Sequence, residues 1–224
     1  MTRHRTPVQA NCPIPEDFVA LANRLRPMAV NELLRFIWEG FDRLAVDMFD
    51  VTKGDENLED DITYAAFCRI QDSMPPYSPF SLIHQPRERE RKKDRGQMPT
   101  SDLGFRVRGG NIRSHFSVEA KVIRTEGTVS RYVNEVKDNL LTGRYSTFSS
   151  EAVMLGYLLS GSPVATFGAI AASLDNEMKV HPGFASRNQR YSDHNRTVAN
   201  ASIVRFRCHH LLILFATAAR SAPN

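Results

Sequence analysis

Two residues of opposite charge lie two positions apart in the otherwise apolar stretch Phe116–Ile123. They are Glu119 and Lys121, and the alternation of side chains along a strand puts both on the same face. Burying such a pair adds little stability, because desolvation commonly cancels the Coulombic attraction. A cleft in which the two groups do chemistry explains the pattern better. Asp102 lies seventeen residues earlier, at the start of a strand that a Gly109–Gly110 turn would pair with this one.

An acid at a strand start, followed after a gap by acid-x-Lys in the next strand, resembles the pattern of the PD-(D/E)xK nuclease superfamily. The resemblance covers about residues 30–160. It implies that Asp102, Glu119 and the Ala120 carbonyl bind Mg²⁺ or Mn²⁺, and that Lys121 positions or activates the attacking water. Ser101 precedes Asp102, so the eponymous Pro-Asp dipeptide is absent.

The chemistry of phosphodiester hydrolysis is consistent with these residue types. Mg²⁺ is a hard cation that prefers carboxylate oxygens and keeps open positions for water. Bound there, it polarises the phosphoryl oxygen and lowers the pKa of its water. The alternative is that Glu119 and Lys121 form an incidental surface pair.

A further acid is expected from the helix that precedes the sheet, because many relatives in this superfamily use one. Glu39 and Glu32 are the candidates in the predicted helix 30–48. Glu39 lies beside the apolar stripe and is the preferred catalytic candidate. A solvated helix carboxylate is the alternative.

Several basic and aromatic residues are candidates for binding nucleic acid. Arg144 can hold a phosphate while Tyr145 stacks on a base, although Gly143 at this point also fits a helix C-cap. The other candidates are Arg131, Arg205 and Arg207.

Cys208, His209 and His210 are adjacent in the chain, but they do not predict a metal site. Strand alternation points the two histidines to opposite faces, and no second cluster has zinc spacing. A buried Cys208 with partly buried histidines is the expected arrangement.

The order of predicted elements indicates an α/β protein with a restriction-endonuclease-like αβββαβ core, in which a mixed sheet is flanked by helices. We expect a single domain over residues 1–224. Residues 1–78 form a helical N-terminal part, 79–160 the core sheet, and 161–224 a C-terminal helix, polar loop and strand. The strands are predicted over residues 80–84, 103–107, 115–123, 152–159 and 202–215. The helices are predicted over residues 14–26, 30–48, 58–73, 129–141 and 163–174, and residues 181–199 are predicted as a long polar loop.

Composition excludes disordered, collagen-like and disulfide-rich classes, since 42% of residues are hydrophobic and 24% charged. The net charge of +4 is unevenly distributed. Residues 1–104 carry 14 basic and 17 acidic residues, whereas residues 105–224 carry 15 and 8. A basic half suggests a face that meets an anion, or merely uneven solvated faces. Similarly, the basic stretch Arg87–Arg95 is expected to be a solvated loop or to follow a phosphate backbone.

Two features predict a cytoplasmic protein. The three cysteines have no close spacing, and no apolar segment follows the basic N-terminus. The 23 uncharged residues Ala152–Leu174 are long enough to span a membrane. However, Gly161, Ser162 and Pro163 in the middle favour a strand, a turn and a buried helix.

The sequence therefore predicts a Mg²⁺-dependent nuclease that acts on nucleic acid, with DNA as the preferred substrate. The resemblance also implies a role in defence against foreign DNA. A homodimer or a partner subunit is compatible with this interpretation. The alternative is a nuclease-fold subunit without activity that binds or scaffolds within a complex.

Overall fold

The structure is a computed structural model that describes residues 15–44, 57–86, 100–196 and 204–215. Its helices are α1 (Phe18–Leu25), α2 (Ala29–Asp42), α3 (Leu58–Ser73), α4 (Ser130–Glu135) and α5 (Pro163–Leu174). Helix α4 continues into a π-helical turn over Val136–Leu140. The strands are β1 (Phe80–His84), β2 (Leu103–Val107), β3 (Phe116–Ile123), β4 (Glu151–Leu158), β5 (Lys179–Val180), β6 (Gln189–Asn195) and β7 (Arg205–Leu214).

All seven strands form one mixed sheet in the order β1-β2-β3-β4-β7-β6-β5. The central strands β3, β4 and β7 run parallel to one another. Antiparallel pairs flank them, with β2 and β1 on one side and β6 and β5 on the other. The central strands are almost continuously buried, as expected for parallel strands covered on both faces. The predicted mixed α/β class is confirmed.

Helices cover both faces of the sheet and create two hydrophobic cores. Helices α1, α2 and α3 pack on one face, where Leu33, Ile62, Val118 and Tyr157 are buried. Helices α4 and α5 pack on the other, where Tyr132, Met154, Ile170 and Leu212 are buried. In β3, Val118 and Ala120 lie in the first core and Ile123 in the second, so the predicted alternation along this strand is confirmed.

The predicted polar loop 181–199 is wrong over residues 189–195. Gln189–Asn195 is strand β6, which pairs with residues 205–211 of β7. Its polar side chains find partners in other elements: Trp38 Nε1 donates to Gln189 Oε1 at 2.7 Å, and Ser192 Oγ lies 2.7 Å from His210 Nε2. Propensity alone disfavours a strand of such residues, and these tertiary partners overcome that preference.

The segment Ala152–Leu174 forms most of β4, a turn and α5, as predicted. Among the described residues, no helix has the length and hydropathy needed to cross a membrane. The predicted helix 30–48 is too long, because the helix ends at Asp42 with Arg43 as its C-cap. Residues 45–48 and the basic stretch Arg87–Arg95 lie outside the described residues.

Helices α2 and α3 approach each other closely at Gly40. A Cβ atom at this position would lie 2.8 Å from the backbone nitrogen of Ile70 and 2.9 Å from its Cα. Because these are backbone atoms, the clash can be relieved only by moving one helix. The glycine thus sets how closely α3 lies against α2, and α3 carries a residue of the site described below.

We predict that Gly40→Ala lowers the free energy of unfolding by about 1–3 kcal/mol, the usual cost of overpacking a core. Urea denaturation of the purified variant measures this change. Gly168→Ala is the matched control, since a Cβ at Gly168 in α5 meets nothing within 4 Å. The control should gain about 0.5–1 kcal/mol, as alanine is the better helix residue. Equal effects of the two substitutions would contradict the close helix approach.

Candidate active site

The pairing between β2 and β3 ends at Leu103 and Val118, although β3 continues to Ile123. Beyond this point, carboxylates take over as partners of the β3 backbone. The Ala120 N–H donates to Asp102 Oδ2 at 2.8 Å, and the Val122 N–H donates to Glu59 Oε2 at 3.0 Å. The gap between β2 and β3 is therefore filled by acidic side chains.

The carboxyl groups of Asp102 and Glu119 lie close enough in this gap for each to shift the pKa of the other. Glu119 is only 3% exposed, and its Oε1 receives no hydrogen bond within the described part of the chain. Burial raises the pKa of both carboxyls, and the charge of Asp102 raises that of Glu119 further. A buried acid close to a second, partly buried acid favours either a shared proton or a nearby cation.

Lys121 is the cation nearest to these acids. Its Nζ donates to Glu59 Oε1 at 2.9 Å and to the Ala120 carbonyl oxygen at 2.6 Å, and it lies 4.0 Å from Glu119 Oε2. Burial opposes its charge, but the surrounding carboxylates of Asp102, Glu59 and Glu119 outweigh burial and raise the pKa of Lys121. Lys121 is therefore an ammonium ion.

The acid that comes from a helix is Glu59 at the start of α3, whereas the sequence suggested Glu39 or Glu32. Glu39 forms an i,i+4 ion pair with Arg35 along α2. Neither Glu39 nor Glu32 is among the described groups that contact Lys121. Glu59 stands in an acid-rich first helical turn, a pattern that by itself indicates only a favourable helix dipole.

Helix α4 and the loop after it complete the site on the opposite face of the sheet. Burial is the main cause that raises the pKa of the Tyr145 hydroxyl. The negative charges of Glu119, Glu135 and Asp102 raise it further. Arg144 lies close enough to oppose that shift. The π-helical turn precedes these residues, and such turns occur frequently at functional sites. The structure thus places Tyr145 within electrostatic range of the acids, with Arg144 next to it in the chain.

Among the described residues, no contact joins the other basic candidates to the residues of the gap. Arg131 is exposed on α4. Arg205 and Arg207 line a cavity of about 570 Å³ together with Glu151 and Asp193. This cavity lies where β4 and β7 begin, whereas Lys121 lies near the end of β3, which runs parallel to both. Arg207 is held by Asp193, with Nε 2.8 Å from Oδ1.

The adjacent histidines diverge as the alternation predicts. His209 Nε2 lies 2.6 Å from Glu151 Oε2. His210 Nδ1 lies 2.9 Å from the hydroxyl of Tyr132, which belongs to the core on the α4 and α5 side of the sheet. Burial lowers the pKa of His210 to about 3, so its ring is neutral. Cys208 is buried and free.

The residues in the gap fit a hard divalent cation. Asp102 and Glu119 supply only oxygen atoms, and Glu119 Oε1 is buried without a donor in the described structure. Mg²⁺ needs just one or two carboxylates because it retains several waters. No three His, Cys, Asp or Glu side chains converge as a metal site in the described ranges. The Ala120 carbonyl, the third expected ligand, accepts the hydrogen bond from Lys121.

Comparisons with known proteins identify no relative. A scan of family models, a search of curated proteins and a search of solved structures each found no match to this chain.

We predict that Glu119→Gln raises the free energy of unfolding at neutral pH by roughly 0.5–2 kcal/mol, the range typical of a relieved unfavourable site. The raised pKa means that the folded state retains the Glu119 proton after the unfolded chain has released it. Stability then falls as the pH rises from the ordinary value of 4.5 towards the raised pKa. In the Glu119→Gln variant, the free energy of unfolding should therefore fall less over this pH range.

Urea denaturation at several pH values measures both effects. Glu177→Gln, at an exposed glutamate after α5, is the matched control and should change little. A Glu119→Gln variant that is less stable than the wild type at pH 7 would show that the acid pair is stabilising and would contradict this account.

Proposed function

We propose that the protein is a metal-dependent nuclease with a restriction-endonuclease-like core, in which Asp102 and Glu119 bind Mg²⁺ or Mn²⁺. The observation that carries the proposal is the pairing of Asp102 with the buried Glu119 beside Lys121, in a gap of the sheet. The order α3-β1-β2-β3-α4-β4 supports the core assignment because it matches the αβββαβ order expected from the sequence.

The residues of the gap have separate tasks in this proposal. Bound Mg²⁺ would polarise the scissile phosphate and lower the pKa of a coordinated water. Asp102 and Glu119 neutralise the charge of the ion. Lys121, fixed by Glu59 at 2.9 Å, keeps an ammonium group beside Glu119, where it can orient a water or a phosphate oxygen. Its raised pKa suits this electrostatic task better than that of a proton acceptor.

The substrate in this proposal is nucleic acid, with DNA as the first choice. Tyr145 lies within electrostatic range of the acids. In this proposal it supplies a stacking surface, and its chain neighbour Arg144 supplies a phosphate contact. Arg131, Arg205 and Arg207 extend the basic half of the chain and serve as secondary contacts to the backbone. A cytoplasmic nuclease that acts alone, as a homodimer or with a partner subunit fits these features.

One observation favours the second candidate function, a nuclease-fold binding subunit without activity. The Ala120 carbonyl is occupied by Lys121, and Lys121 is itself paired with Glu59. A polar cluster closed in this way can persist for structural reasons. The two candidates differ in whether phosphodiester bonds are cut.

We predict that the purified protein cleaves nucleic acid in Mg²⁺ or Mn²⁺ and not in EDTA. Supercoiled plasmid and labelled single- and double-stranded DNA and RNA are the substrates. Asp102→Asn and Lys121→Ala should reduce the rate roughly 100- to 1,000-fold, the cost of removing one group that stabilises the transition state. Glu59→Gln keeps an acceptor for Val122 but loses the charge that fixes Lys121, so a loss of roughly 10- to 100-fold is expected.

Lys179→Ala is the matched control, because Lys179 also forms an ion pair, with Asp193 on the distant edge of the sheet. It should cleave at the wild-type rate. Circular dichroism confirms that each variant is folded. Wild-type rates in Asp102→Asn or Lys121→Ala would remove that residue from the mechanism. A wild-type protein that binds nucleic acid and metal without cutting would favour the binding subunit.

A further inference from the structure

An aromatic cluster lies on the α3 side of the sheet, formed by Tyr64 and Phe67 of α3 and His84 of β1. The Tyr64 and Phe67 rings are stacked with centroids 6.3 Å apart, and His84 lies 5.6 Å from Tyr64 and 5.5 Å from Phe67. Phe67 packs against the hydrophobic core, whereas Tyr64 is 58% exposed. Phe67 thus anchors the cluster to the hydrophobic core, while Tyr64 is open to solvent.

The sheet register places His84 next to the backbone of Asp102 and two strands from Glu119. His84 pairs with Leu103, and the Gln85 N–H donates to the Asp102 carbonyl at 2.8 Å. Leu103 pairs in turn with Val118 of β3. With neighbouring strands about 4.8 Å apart, His84 lies on the order of 10 Å from β3. Tyr64 stands five residues after Glu59 on the same helix, an axial rise of about 7.5 Å.

The arrangement of the cluster suits the capture of a planar ring. The two neighbouring rings hold Tyr64, so little conformational freedom remains to be lost on binding. A half-exposed tyrosine with one face against other aromatics offers its outer surface for stacking, and stacking accepts any nucleobase. Tyr77, which is 81% exposed, has no aromatic neighbour among the described residues and lacks this preparation.

We propose that Tyr64, supported by Phe67 and His84, stacks on an unpaired base of a nucleic acid whose backbone enters the gap at Asp102, Glu119 and Lys121. A base within a duplex already has both faces covered, so only a single-stranded or locally opened segment can present one. The inference rests on the proposed nuclease function and specifies its substrate as single-stranded or unpaired nucleic acid.

The test measures binding of the full chain in EDTA to a labelled single-stranded oligonucleotide of DNA and to one of RNA, each with a central 2-aminopurine. Blunt duplexes of the same sequences are run in parallel. Tyr64→Ala should weaken single-strand binding roughly 5- to 50-fold and abolish the quenching of 2-aminopurine that stacking causes. Tyr64→Phe keeps the ring and should restore both. Tyr77→Ala, at the opposite end of β1, is the control and should match the wild type.

The proposal is overturned if Tyr64→Ala and Tyr77→Ala bind the single strands equally, if 2-aminopurine is not quenched, if duplexes bind as tightly as single strands, or if no oligonucleotide binds. Failure of the proposed nuclease function can be distinguished from failure of the stacking site. Tyr64-dependent binding without any metal-dependent cleavage overturns the nuclease and supports the stacking site. Cleavage with the same KM in Tyr64→Ala as in the wild type overturns the stacking site alone.

Discussion

The close placement of Asp102 and the buried carboxyl group of Glu119 is the feature around which the rest of the site is organised. Burial disfavours the charge of each carboxyl, and the charge of Asp102 further disfavours that of Glu119. An arrangement that costs free energy in the folded state persists in proteins mainly where function requires it. A divalent cation would remove the conflict, because it needs both groups ionised and close together.

The fold supplies this placement by interrupting a strand pair. Where β2 leaves β3, the Ala120 and Val122 N–H groups need new acceptors, and Asp102 and Glu59 provide them. The same hydrogen bonds that complete the sheet therefore hold two of the site's carboxylates. Helix α3 brings Glu59 to Lys121 from one face, while the segment after α4 brings Tyr145 to the acids from the other. Structure and proposed chemistry use the same residues.

The sequence predicted most of this framework because the relevant signals are local. The alternation along Phe116–Ile123 and the glycine turn before it define the hairpin, and the hairpin brings Asp102 to Glu119. Glu59 was missed since it lies 62 residues from Lys121, and no local pattern indicates that a helix start crosses β3. Strand β6 was missed for a related reason: its polar residues form a strand through partners such as Trp38 and His210.

Binding of Mn²⁺ by the purified chain, measured by calorimetry and by electron paramagnetic resonance, tests the central claim most directly. The account predicts Mn²⁺ bound at the Asp102–Glu119 pair, with binding lost in both Asp102→Asn and Glu119→Gln and retained in Glu177→Gln. Mn²⁺ that fails to bind the wild type, or that binds all three variants with wild-type affinity, would contradict the claim that the buried acids are held together for a cation.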